Sequence, residues 1–145
     1  MEREKLEDAV FFKNAYFNEI RQLPNRTNVE ILIGEQIERS HRHEKPFLIT
    51  TIEYLNYDEN SVVELSNLIS ESIRDEDILA HIENRVFLIL FNEYLEDKNF
   101  TILLRRFQKK LAEHKKFQVE IGKSNYPKDS QTASGLIDEA KKHIQ

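Results

Sequence analysis

The chain of 145 residues contains no cysteine and no tryptophan, and it has only three glycines and three prolines. The absence of cysteine excludes disulfide bonds and thiolate metal sites, and it agrees with a reducing, cytoplasmic environment. The longest unbroken apolar run, residues 86–91, is far shorter than the roughly 20 residues that a membrane-spanning helix requires. If the natural protein is held at a membrane, we expect its anchor to lie outside this chain.

The charge of the chain argues against a nucleic-acid partner. It carries 21 basic and 26 acidic side chains, for a net charge of −5, and the two signs are interspersed. Without a basic field, the chain lacks the electrostatic attraction that holds a polyanionic duplex. A content of 39% apolar and 32% charged residues is typical of one soluble globular domain.

Good helix formers dominate residues 1–20, and four apolar side chains of this segment, Leu6, Val10, Phe17 and Ile20, share one helical face. We therefore expect an N-terminal lead-in helix over residues 1–20 that uses this face for packing. A single domain is then expected over residues 21–145.

Helical and strand periodicities alternate through this domain. Pro24 stops the lead-in helix, Asn25 is a suitable cap for a helix that ends near His43, and Phe47–Tyr54 is typical of a buried strand. A helix over 62–73 is expected to be capped by residues 58–61. Further elements are a hairpin of 78–82 and 86–91 around a Glu83-Asn84 turn, a helix over 100–111, a strand over 117–121 and a helix over 133–144. This order predicts an α/β fold of the α+β kind, with a mixed, mainly antiparallel sheet covered by helices.

Four landmarks in this order resemble the GGDEF domain, the family whose active members condense two GTP molecules into cyclic di-GMP. They are Leu23-Pro24-Asn25-Arg26, Arg74-x-x-Asp77, the hairpin around Glu83–Phe87, and Ile121-Gly122-Lys123-Ser124-Asn125-Tyr126-Pro127. Each motif is weak alone, but their order and spacing together are specific. The resemblance implies a nucleotidyl cyclase-like fold, about ten residues shorter than the family pattern between the first strand and the hairpin.

The hairpin departs from the family where catalysis takes place. The family's Gly-Gly turn and acidic metal ligands correspond here to Glu83, Asn84, Arg85 and Val86. Side chains at these turn positions block the close approach of phosphates, and an arginine in place of a carboxylate repels Mg²⁺. Ungapped counting places Glu53 at the family's other metal-binding acid, and a two-residue shift places Thr51 there. The resemblance therefore implies a degenerate domain that is not an enzyme and holds no metal or other cofactor.

The sequence keeps residues that match the family's product site. Arg74 stands nine residues before Glu83, at the position of the family's Arg-x-x-Asp pair, and ungapped counting places Arg105, beside Arg106, at an arginine of the following helix. A guanidinium can grip guanine O6 and N7 or a phosphate, and a carboxylate accepts from guanine N1 and N2. The resemblance thus implies that cyclic di-GMP binds at Arg74, Asp77 and Arg105, and that the ligand can link two copies of the domain.

Other interpretations stay open from the sequence. Arg74 and Asp77 also fit a purely structural role, either as an ion pair or with Asp77 accepting backbone hydrogen bonds between helix and strand. The domain is then a protein-interaction or dimerisation module that uses the lead-in helix and the 97–116 helix. A third interpretation keeps Glu53 as a functional acid for slow hydrolysis of another nucleotide. Regulation of exopolysaccharide production or biofilm, with a polysaccharide synthase or another membrane partner, is implied by analogy alone.

Overall fold

A computed structural model describes residues 23–91, 97–114 and 116–142, so the predicted lead-in helix lies outside the described residues. Helices and strands alternate along these ranges as the periodicities predicted. The elements are α1 (Arg26–His43), β1 (Phe47–Tyr54), α2 (Val62–Ser72), β2 (Ile78–Glu83), β3 (Val86–Leu90), α3 (Asp97–His114), β4 (Val119–Tyr126) and α4 (Ala133–Lys142).

The four strands form one sheet in the order β2-β3-β1-β4, with β1 and β3 in the centre. All three ladders between the described strands are antiparallel. Every residue of β3 is buried, because this central strand is covered on both faces. The predicted α+β class and mainly antiparallel sheet are therefore confirmed.

Helices cover both faces of the sheet. On one face α2 and α3 enclose the larger core cluster, which includes Leu65, Ile69, Phe100 and Phe107. On the other face α1 and α4 enclose a second cluster, which includes Val29, Ile33, Leu136 and Ile137. None of the helices in the described ranges is long and apolar enough to cross a membrane.

The start of α1 follows its local sequence closely. The Asn25 side chain accepts a hydrogen bond from Asn28 N at 2.9 Å, which caps the helix as predicted. Pro24 O accepts from His81 N at 2.9 Å, so the segment before α1 lies against the edge strand β2. The Leu-Pro-Asn-Arg landmark therefore joins a helix start to the sheet.

The hairpin turn differs from its predicted position by one residue. Glu83 belongs to β2 and pairs with Val86, so the turn consists of Asn84 and Arg85 and not of Glu83 and Asn84. A register shift between His81 and Glu83 inserts one extra residue into β2. Such a bulge cannot be read from alternation alone, because it moves the turn without changing the apolar pattern of the strands.

The bounds of β4 were also predicted incorrectly, whereas α2 begins at Val62 as predicted. The strand expected over 117–121 runs instead over Val119–Tyr126, since all eight of its residues pair with β1 and Pro127 ends it. Ser61 occupies the cap position of α2, but its hydroxyl makes no cap hydrogen bond and donates instead to Asp58 Oδ2 at 3.2 Å. Pairing with β1 therefore determined the extent of β4, whereas a local contact within residues 58–61 took up the Ser61 hydroxyl.

Candidate functional site

Arg74 and Asp77 lie in the turn that leads from the end of α2 to the start of β2. Asp77 N donates to Arg74 O at 3.0 Å, and Arg74 N donates to Asp77 Oδ2 at 3.0 Å. The carboxylate therefore satisfies a backbone donor beyond the last residue of α2. Short acidic side chains are favoured at such turns because they accept these local bonds well.

The two side chains also form a forked ion pair. Arg74 Nε donates to Asp77 Oδ2 at 3.1 Å, and Arg74 Nη2 donates to Asp77 Oδ1 at 3.0 Å. The Asp77 side chain is 0% exposed, whereas that of Arg74 is 34% exposed. The structural role that the sequence offered as an alternative is thus present, and a ligand-binding role for the same residues stays a prediction.

One arginine of α3 reaches the same end of α2. Arg106 Nη1 donates to Ser72 O at 3.3 Å, and one turn later Lys110 Nζ lies 3.8 Å from Glu71 Oε1. Arg105 is exposed, and it lies about 100° around the helix from Arg106. The sequence predicts Arg105 as the ligand-binding arginine of this helix, with Arg106 only as its neighbour. Arg105 and Lys109 have the same four-residue spacing as Arg106 and Lys110, so the sequence carries no signal for which flank of α3 faces α2.

The hairpin tip is occupied by side chains. The His81 ring stacks on Phe87 with their centroids 4.7 Å apart, and His81 Nε2 donates to Asn84 O at 3.0 Å. Burial of the imidazole lowers the pKa of His81. The guanidinium of Arg85 lies 5.6 Å from the centre of the Tyr57 ring, a cation–π contact. Asn84 and Arg85, which form the hairpin turn, therefore both carry side chains at the tip.

A small pocket beside this tip carries the candidate acids. It is lined by Thr51, Glu53, Val86, Glu120, Gly122 and Lys141. Thr51 and Glu53, the two positions that the resemblance offers for the family's metal-binding acid, both line it, because residues two apart on a strand share a face. Glu53 lies directly opposite Glu120 on β4, and Lys141 of α4 is paired with Glu83 of β2.

Sequence reasoning missed Glu120 and Lys141. They join the pocket only through the pairing of β4 with β1 and the packing of α4. The pocket is thus lined by the carboxylates of Glu53 and Glu120 and by Lys141, whose ammonium is paired with Glu83. In the described ranges, no three His, Asp or Glu side chains are grouped so that they could hold a metal ion.

No protein-family model and no curated protein matches this chain. Solved structures do match. The GGDEF domain of FimX from Pseudomonas aeruginosa has a TM-score of 0.73 and 18% identity over 86% of this chain and 88% of that chain. The GGDEF domain of YfiN, or TpbB, from the same organism has a TM-score of 0.72 and 16% identity over 83% of this chain and 86% of that chain.

A third match is a microbial GGDEF domain described in an interaction with bis-(3,5)-cyclic di-GMP. It has a TM-score of 0.71 and 16% identity over 89% of this chain and 90% of that chain. Similarity at these identities establishes the fold, while ligands and activity have to be argued from the residues of this chain. The chain therefore has the fold of a GGDEF domain, as the four sequence landmarks predicted.

Proposed function

We propose that this domain is a receptor for cyclic di-GMP that does not synthesise it. The observation that carries the proposal is the Arg74-x-x-Asp77 pair, which stands at the family position before a hairpin whose catalytic residues are replaced. The GGDEF fold and the cyclic di-GMP interaction of a structurally similar domain support this ligand class.

The proposed site consists of Arg74, Asp77 and Arg105, together with Arg106. A third of the Arg74 side chain is exposed beside the acidic side chain that holds it, and both α3 arginines are exposed. Guanidinium groups are well suited to cyclic di-GMP, because they grip phosphate oxygens and the O6–N7 edge of guanine in the same forked geometry. The arginines thus supply donors and positive charge on a chain whose net charge is −5.

The pocket beside the hairpin tip is unsuited to phosphoryl transfer. Active transfer relies on metal ions to neutralise the triphosphate, and Mg²⁺ is held by carboxylates close to the phosphates. Here Arg85 replaces an acidic ligand in the turn, and Glu83 is paired with Lys141. Glu53 and Glu120 leave the pocket with excess negative charge that repels GTP. We therefore propose that the domain is not a cyclase, and that Glu53 does not support hydrolysis of another nucleotide.

Isothermal titration calorimetry with cyclic di-GMP tests the receptor proposal. Wild type is expected to bind, and Arg74→Ala is expected to weaken binding by about 1 to 3 kcal/mol, the usual value of one good bidentate contact. Arg42→Ala is the matched control, because Arg42 is an exposed arginine on α1, across the sheet from Arg74. Absence of binding by the wild type would refute the proposal.

A synthesis assay tests whether the domain lacks cyclase activity. Incubation with GTP and Mg²⁺ is expected to give no cyclic di-GMP above a protein-free control. Sustained product formation, lost in Glu53→Gln, would show that the pocket does catalyse the reaction.

A nucleotide-independent interaction module is the second candidate function. It is favoured by the complete burial of the Asp77 carboxylate, which the ion pair explains without any ligand. The outer face of α3 offers a surface for a partner, because Ile102 is 53% exposed there among Arg105, Arg106 and Lys109. This function predicts no heat with cyclic di-GMP, and substitutions on α3 would then affect a protein partner alone.

We further propose a cytoplasmic location, ligand-linked homodimerisation and a role in exopolysaccharide production or biofilm, with a synthase or another membrane protein as partner. These assignments are supported by the family resemblance alone. Sedimentation velocity with and without cyclic di-GMP tests the dimer, for which a ligand-dependent doubling of mass is expected.

A further inference from the structure

The outer faces of α1 and α3 each carry one exposed isoleucine. Ile31 of α1 is 58% exposed and Ile102 of α3 is 53% exposed, more than any other large apolar side chain in the described ranges. On each helix, charged side chains follow four and seven residues after the isoleucine. Positions with this spacing lie along one side of a helix, so each isoleucine begins a surface stripe that continues with two charges.

The two stripes carry opposite charges at matching positions. The α1 stripe consists of Ile31, Glu35 and Glu38, and the α3 stripe consists of Ile102, Arg106 and Lys109. All four charged side chains are exposed, and Glu35, Glu38 and Lys109 form no ion pair within the described part of the chain. Arg106 uses one donor for Ser72 O, which leaves its other guanidinium donors available. The acidic stripe and the basic stripe are therefore complementary.

The two stripes of one copy cannot meet each other. The α1 helix covers one face of the sheet with Val29 and Ile33, whereas α3 covers the opposite face with Phe100 and Phe107. We propose that the α1 stripe of one copy docks on the α3 stripe of a second copy of this chain. The proposal goes beyond the receptor function and does not depend on it, because the contact involves no nucleotide.

A parallel alignment of the two helices satisfies both stripes. It places the two isoleucines against each other. In the same register Glu35 lies opposite Arg106 of the second copy. The next pair along the helices is Glu38 and Lys109. An antiparallel alignment of the same stripes sets each isoleucine opposite a charged side chain, which is less favourable. Exposed ion pairs contribute little alone, so we expect the isoleucines to supply the apolar centre and the charges to fix the register.

This contact is heterologous, because it joins different surfaces of the two copies. Within a pair of copies, one α1 stripe and one α3 stripe stay unoccupied, so association can continue into a ring or an open chain. Both helices have 18 residues and are therefore about 27 Å long. A contact between two such helices is small, and we expect it to be weak and transient.

Sedimentation equilibrium of the nucleotide-free protein tests the proposal. Over a concentration series up to about 1 mM, at low ionic strength where exposed charges are least screened, the average mass is expected to rise beyond that of two chains. Glu38→Lys alone and Lys109→Glu alone each set like charges opposite one another, so each should weaken association by about fivefold or more. The double variant Glu38→Lys/Lys109→Glu restores opposite charges and should associate within about twofold of wild type.

Lys128 supplies the matched control, because it is an exposed lysine in the loop between β4 and α4. Lys128→Glu changes the net charge as Lys109→Glu does, and it should leave association unchanged within about twofold. Glu38→Lys/Lys128→Glu has the net charge of the double variant but keeps the mismatched pair, so it should not restore association. Circular dichroism verifies that each variant is folded.

The proposal is wrong if the wild type keeps the mass of one chain throughout the series. It is equally wrong if Lys109→Glu weakens association no more than Lys128→Glu, or if Glu38→Lys/Lys109→Glu fails to restore it. None of these results bears on the receptor function, because no cyclic di-GMP is present.

Discussion

Replacement of Asp77 by alanine is expected to lower the free energy of unfolding by about 2 to 3 kcal/mol. The carboxylate closes the turn after α2 by accepting from Arg74 N, an interaction comparable to a helix cap and worth about 1 kcal/mol. The forked pair with the Arg74 guanidinium adds about 1 to 2 kcal/mol, because its carboxylate is buried but its guanidinium is 34% exposed. The two contributions together give the stated loss.

Urea denaturation followed by circular dichroism measures this loss. Asp77→Asn retains an acceptor for Arg74 N, so it is expected to lose about half as much stability as Asp77→Ala. The double variant of Arg74 and Asp77 completes a mutant cycle, in which a coupling of about 1 to 2 kcal/mol is expected from contacting residues. Arg42→Ala again serves as the control and is expected to change stability by less than about 0.5 kcal/mol.

An Asp77→Ala variant as stable as Arg42→Ala would contradict the stabilising role of the Asp77 carboxylate. Such a result would mean that the turn forms without its carboxylate and that the buried ion pair contributes nothing net. Unchanged cyclic di-GMP binding by a stable Asp77→Ala protein would show that Asp77 is not part of the proposed ligand site.

Three further predictions concern other described residues. Burial lowers the pKa of His81, so as the pH falls below about 6.5 this imidazole is protonated in the unfolded chain but stays neutral in the folded one. Thermal denaturation should therefore show that wild type loses stability between pH 7.5 and 5.5 more steeply than His81→Gln. The buried Ser66 hydroxyl has no hydrogen-bond partner in the described part of the chain, so Ser66→Ala should be more stable by about 1 kcal/mol in urea, and a loss of stability would show a hidden partner. The Lys141–Glu83 pair is largely exposed, so Lys141→Ala should cost less than about 1 kcal/mol, and a larger loss would show that the pair holds α4 to the hairpin.

The sequence was most informative where a local signal decides the structure. The capping amide of Asn25 and the helical periodicity that follows it predicted α1, and the structure confirms both its start and its end at His43. Phe47–Tyr54 was predicted as a buried strand and is β1 over the same residues. These elements follow from side-chain periodicity and capping, which require no knowledge of the rest of the fold.

The sequence was less informative where a boundary depends on a partner strand. The bulge after His81 moved the turn to Asn84 and Arg85, and β4 extends to Tyr126 because β1 is long enough to pair with it. Glu120 and Lys141 joined the pocket for the same reason, since strand pairing and helix packing bring together residues that are distant in the chain.

The amino-acid sequence by itself determined the order of the elements and the GGDEF-like fold. Only the tertiary structure decided how the candidate product site is arranged. The sequence left Asp77 open to either a ligand or an ion pair, and in the folded domain its carboxylate is buried and paired with Arg74. Likewise, the rotation of α3 about its axis, which core packing sets, brought Arg106 to the end of α2 and left Arg105 on a different flank. Residue type and spacing specify which groups are near in the chain, whereas burial and direction depend on contacts that form only when the whole domain has folded.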